Sequence, residues 1–361
     1  MLRSRRSLRS AKAFAGDGGT GLMTLSIKPI LALAVLVLTA AAPVRPSYRF
    51  AANLPLGAPD RWDYAVAEPA AGRVYVAHGD SLAVIDARAV KVIGTIRVPG
   101  AGMHGVAFPA DTALGFTDDG DRGRALAFDR RTLKLVKAIP APKDADAVAA
   151  DPLTGHVFIV AGDPRTIAVI DPKTLAIVAT IRADEAMEYA AAGADGTLYV
   201  AGAGRNDLLA IDTRTNRIVR HWPMRGCANP HGLAYDRGGR RLFMGCVNGV
   251  MMAVDAGDGH VVTTLPIGRG SDAIAFDPRR KRIFSANGKD GSVTVYQQFS
   301  PDHYRALAPL RTAVSARTMT VDPASGRLFV VAADPRPGAD ADGASRIVPS
   351  SLHVLVFDPV E

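Results

Sequence analysis

Seven ionisable residues recur along this chain at nearly constant spacing: Asp63, His104, Asp146, Glu188, His231, Asp272 and Arg317, separated by 41, 42, 42, 43, 41 and 45 residues. Each stands at the head of a short apolar stretch, as in "RWDYAVAEP", "GMHGVAFP", "DADAVAADP", "AMEYAAAG", "NPHGLAYD", "GSDAIAFDP" and "SARTMTVDP". In a chain that is only 22% charged, seven such groups at one phase of a repeat are not a chance arrangement. Carboxylates and histidines can ligate a divalent metal or move protons, and an arginine can clamp an anionic group. The same residues could equally form a charge network satisfied by backbone groups and water. No contiguous H-x-x-H motif, nucleophile elbow or phosphate loop accompanies them, so the motifs specify neither a metal nor a reaction.

The two cysteines, Cys227 and Cys246, flank His231 in "RGCANPHGLAYDRGGRRLFMGC". The stretch could hold a metal, a Cys–His nucleophile pair or a disulfide. Pairing Asp236 with Arg241 across a hairpin turn at Arg237–Arg240 sets His231 beside Cys246, with Cys227 near the same end. In an oxidising compartment two thiols so placed favour a disulfide, whereas a closed tetrahedral metal site needs further ligands.

These residues are positioned by a repeat. An apolar alternation ending in Asp recurs as "LAVID", "ALAFD", "IAVID", "LLAID", "MMAVD", "VTVYQ" (here ending in Gln297) and "VLVFD". Ahead of each lies a strand, a turn built from Asp, Pro and Gly, and a second strand, as in "AADPLTGHVFIVA". A fourth strand follows, as in "LAIVATIRA". Four short strands in about 42 residues, seven times over, predict an all-β, seven-bladed β-propeller with four antiparallel strands per blade. The seventh copy is followed only by Pro359–Glu361 and lacks an outer strand, while residues 48–57 match the outer-strand pattern. The N-terminal strand is therefore expected to complete the last blade and remove a free sheet edge. In a propeller the innermost strands run the same way along the central channel, so the seven ionisable residues form one circle at its mouth. The Pro-, Gly- and Asp-rich residues 334–350 are expected to be a mobile surface loop in blade seven.

Residues 29–42, "PILALAVLVLTAAA", form an apolar run too short to span a membrane and suited to a secretory leader ending in small residues. Residues 1–42 are read as a signal peptide, with Met23 as a second start, and residues 43–361 as a single exported domain. Export by the general or the twin-arginine route is left open. The formal charge of +8 is largely the leader's, which holds six basic residues and one acidic; beyond it the charge is about +3. The only dense basic run after it, Arg279–Arg282, falls at a hairpin tip. That balance argues against nucleic acid as a partner.

"WDY" at 62–64, "HG" at 104–105, the pattern across 227–248, "LPIGRGSDAIAFDP", "FSANG" and "ARTM" at 316–319 resemble the YncE-like (YVTN-repeat) seven-bladed propellers of bacteria. The resemblance covers residues 48–358, although "FPADTALGFTDDGDRG" is degenerate and His231 stands where a small or hydroxyl residue is expected. It implies an exported or surface protein. The leader places the mature chain in the periplasm or outside the cell, with no integral membrane domain once it is removed, and a monomer is expected. Among activities the resemblance implies nucleic acid binding, adhesion or undefined roles, with lactonases and lactonising enzymes as more distant relatives. The expectation is a binding protein whose channel mouth takes a small molecule or a protein partner. The alternatives are a lactonase-type hydrolase or lyase using Glu188, His104, His231 and Arg317, with or without a divalent metal, and a binder of single-stranded nucleic acid.

Overall fold

In the computed structural model, residues 47–336 and 347–360 are described. They form seven antiparallel sheets and, among the described residues, no helix. The first sheet runs from its inner to its outer edge as Ala65–Glu68, Arg73–His78, Ser81–Asp86 and Lys91–Arg97. Blades two to six repeat that order. The outer edge of blade six is broken into His303–Ala306 and Leu310–Arg311, which both pair with Ser292–Ser300. The innermost strands of neighbouring blades lie side by side, and the seventh, Thr318–Val321, packs against the first, Ala65–Glu68. The ring is therefore closed.

Closure is made by the N-terminal strand, as expected. Tyr48–Pro55 hydrogen-bonds antiparallel to His353–Pro359 as the outer strand of blade seven. Tyr48 is buried, donates from its hydroxyl to the Gly326 carbonyl at 3.0 Å, meets Phe284 edge-on at 5.5 Å and carries the Arg282 guanidinium over its ring. The core is divided among the seven blade interfaces, one apolar cluster to each. The interface between blades seven and one (Phe329, Val331, Val354 and Val356 against Val74, Val76 and Ile85) is as dry as the rest. Burying each such side chain stabilises by about 1.5–3 kcal/mol, so the closing seam is held like any other interface.

The recurrent Asp is a turn device. Asp86 accepts the amides of Arg88 and Ala89, Asp171 that of Lys173, and Asp212 those of Arg214 and Thr215. The residue four positions on takes positive φ: Val90 at 51°, Leu175 at 53° and Asn216 at 54°. An Asx turn followed by one left-handed residue reverses the chain between the third and fourth strands. In blade six Gln297 replaces the Asp, and the third strand runs on to Ser300.

Residues 334–336 and 347–350 lie at the channel-mouth end of blade seven. These two stems are paired through Pro335 and Ile347, and the Ser350 amide donates to Asp60 at 2.7 Å. Residues 337–346, on which the expectation of mobility chiefly falls, and the leader lie outside the described residues.

Candidate functional site

All seven residues singled out by spacing sit at the same end of the innermost strands. Four are set there by irregularities of strand pairing: the register shifts between Ala145 and Ala147, Met187 and Ala190, Pro230 and Leu233, and Ser271 and Ala273. Asp146, Glu188, His231 and Asp272 occupy those shifts. A bulge turns one side chain out of the pleat, here toward the channel. The shift also corrects the expected pairing at the cysteines. Pro230, not His231, lies opposite Cys246, because the bulge takes His231 out of register. The cysteines themselves form a disulfide with Cα atoms 5.4 Å apart, packed against Met224, Leu233 and Met244, which leaves neither free to bind metal.

The circle falls into two arcs. In the first, donor atoms of Asp63, His104 and Asp146 lie within 4.8 Å of one another, the arrangement on this circle that could hold a metal ion. His104 is held from behind: its Nδ1 is 2.7 Å from Oδ2 of fully buried Asp118, whose Oδ1 accepts the amides of His104 and Gly105. Its Nε2 lies 3.0 Å from Nη2 of Arg61, a contact that serves the neutral ring; Arg61 also reaches exposed Asp121. Burial opposes charging of His104, but Asp118, Asp63 and Asp146 outweigh it and push the imidazole up to about 9. In the second arc His231 Nδ1 is 3.2 Å from Glu188 and 3.9 Å from Asp272, and Arg317 Nε is 2.9 Å from Asp272. Neither His231 Nδ1 nor Arg317 Nε is aligned for a hydrogen bond. These charges attract without being locked. Arg317 instead donates through Nη2 to the Trp62 carbonyl and lies over the Trp62 ring at 5.1 Å, joining blade seven to blade one.

Asp63, Asp146 and Asp272 are held above the ordinary carboxyl range. Burial raises Asp63 well above it, and repulsion from Asp272 adds to that. Asp146 is pushed up to about 7 by burial and then by Glu188. Asp272 is raised by burial in spite of Arg317 and His231. The mouth is thus acidic and crowded.

Sequence reasoning missed two sets of residues. Tyr64 of blade one and Tyr189 of blade four meet edge-to-face across the channel, ring centroids 4.6 Å apart, and floor the circle. Burial, then the ring carboxylates, keep both phenols protonated, with Tyr189 pushed up to about 12. The signal was present: the residue after each circle member is Gly105, Ala147, Gly232, Ala273 or Thr318 in the other blades, and Tyr in these two. Asp118 was hidden in the copy read as degenerate. Its counterparts are Ala77, Val160, Ala201, Gly245, Ala286 and Val331, so an acid there is an addition to the repeat. The basic run Arg279–Arg282 is engaged: Arg280 pairs with Asp277, Lys281 with Asp236, and Arg282 stacks on Tyr48.

Comparison with protein-family models and with curated proteins finds no match. Among solved structures the chain is similar to Kuenenia stuttgartiensis hydrazine synthase (17% identity over 78% of this chain and 93% of that one, TM-score 0.65). It is also similar to the β-propeller domain of Myceliophteria thermophila Cps50 (Swd1), at 9% identity over 87% and 100%, with a TM-score of 0.68. The WD40 repeats of RRP9 give 11% over 88% and 99%, with a TM-score of 0.69. At these identities the likeness shows the fold, and the chain is a seven-bladed β-propeller.

Proposed function

We propose that this propeller is an exported binding protein of the YncE-like kind whose channel mouth takes a small cationic ligand. The observation that carries the reading is the set of raised carboxyls, Asp63, Asp146 and Asp272, crowded above a floor of two tyrosines. Ionised carboxylates so placed repel one another, and a cation among them relieves that repulsion. The aromatic floor suits an organic ammonium, and the Asp63–His104–Asp146 arc suits a metal ion. Export is supported by the apolar leader and by the Cys227–Cys246 disulfide, a bond of oxidising compartments. A monomer is supported by the burial of all seven blade interfaces within one chain.

Thermal-shift measurements with spermidine, Mn²⁺, phosphate and a simple lactone test the reading on wild type and on D63N/D146N. We expect the cations to stabilise wild type by several degrees, phosphate and lactone to do nothing, and the double variant to lose the cation response. Stabilisation by phosphate alone, or an unchanged response in the variant, would sink it.

A hydrolase or lyase reading has one observation in its favour, the buried Asp118 that holds the His104 imidazole through Nδ1. Single-stranded nucleic acid fits poorly, since the mouth is acidic and the basic run is engaged in ion pairs and stacking.

A further inference from the structure

At the channel-mouth end of blade four, away from the circle, a second group of donors converges. Asp184 and Glu185 lie in the loop before Met187–Ala192, Asp207 opens the strand Asp207–Asp212, and His221 belongs to the outer strand Arg217–Pro223. The last two strands pair so that Asp207 and His221 fall on one face. Donor atoms of Asp184, Glu185 and His221 lie within 4.8 Å of one another. The Glu185 side chain is 1% exposed; its Oε2 accepts the Arg205 amide at 2.9 Å, while its Oε1 has no hydrogen-bond partner. That orphaned oxygen points at His221, with Nδ1 3.8 Å away, and Asp207 Oδ2 is also 3.8 Å from the same nitrogen. Such distances are too long for hydrogen bonds. They are close to the separation of about 3.4 Å between two ligands held about 2.1 Å from one tetrahedral ion. Backbone at Gly202 and Gly204 closes over the Glu185 side chain, where a Cβ at Gly202 would come within 2.5 Å of Oε2. The carboxylate therefore sits in a fitted slot.

We infer that Asp184, Glu185 and His221, with Asp207 beside the imidazole as a fourth donor, form a site for a zinc ion that ties the loop before the inner strand of blade four to its outer strand. One imidazole nitrogen with carboxylate oxygens suits Zn²⁺ and not Ca²⁺, which takes oxygens alone. The other charged group facing the cluster is Arg205, whose Nη1 pairs with Asp184. Its half-exposed side chain competes with the ion for that one carboxylate and leaves the other three donors free. The inference does not depend on the channel mouth binding anything.

Isothermal titration of the tag-free exported chain with ZnCl₂ at pH 7.5, on wild type, E185Q, H221A and D146N, tests it. We expect a zinc-binding event whose affinity falls at least tenfold in E185Q and in H221A and which remains in D146N, where only binding at the channel mouth is removed. No binding by wild type, or binding that persists in both rim variants or disappears only in D146N, overturns it. Should H221A fail to fold, footprinting of histidines with diethyl pyrocarbonate decides. Zinc should protect His221 in wild type and not in E185Q, and an unprotected His221 in wild type overturns the site.

Discussion

Asp146 gives the channel mouth a pH signature. Its carboxyl is raised to about 7, through burial first and then through Glu188, with Asp144 and Asp118 adding and His104 opposing. Below about pH 4 both folded and unfolded chains hold this proton, and the group makes no difference. Between about 4 and 7 the folded chain holds it more tightly, so stability from this group falls as pH rises and is lost above about 7. Raised Asp63 and Asp272 act in the same direction. His104, raised to about 9, stabilises fully below its unfolded value and loses that contribution only as pH climbs through 9. The displacement of Asp146 is worth at most about 4 kcal/mol, and about half of that is expected because solvent reaches the carboxylate. D146N should therefore match wild type in urea unfolding at pH 4 and exceed it by about 2 kcal/mol at pH 8. Equal stability at both pH values would show that the carboxyl is not under strain.

At the scale of elements, the repeat made most of the fold legible, because each blade carries the same turn chemistry. Asp86, Asp129, Asp171, Asp212 and Asp255 announce the third strand's end since each caps its own turn. The closing role of Tyr48–Pro55 was legible too, as an outer-strand pattern in search of a blade. Its weight rests on its first residue. Tyr48 is 3% exposed and Phe50 58%. Y48A should cost about 3–5 kcal/mol and F50A less than about 1 kcal/mol, read from denaturant midpoints with unchanged slopes. Equal losses would mean that the strand is not anchored at Tyr48. The bulges were not legible. Two residues facing one is a matter of pairing between strands, and nothing in "NPHGLAYD" says which residue is squeezed out. That is why the position of His231 along the chain was right and its neighbour across the sheet was wrong. Asp118 was passed over for a different reason: divergence from the repeat looked like decay when it was an added partner for His104.

For the whole molecule, seven blades place seven side chains on one circle, and two of the blades add the tyrosines that close it below. No single blade could assemble this cup, because the first arc draws on blades one to three and the second on blades four to seven. Ring closure by the N-terminal strand keeps the arcs at a fixed spacing, and the Arg317–Trp62 contact joins them at the seam. The central claim is that this cup is an acidic receptor whose carboxylates ionise to admit a cation. Calorimetric titration of wild type and D63N/D146N with spermidine at pH 6 and pH 8 tests it most directly. The account predicts binding at least tenfold tighter at pH 8, proton release at pH 6, and loss of both in the double variant. Affinity that does not change with pH, or that survives both substitutions, would contradict it.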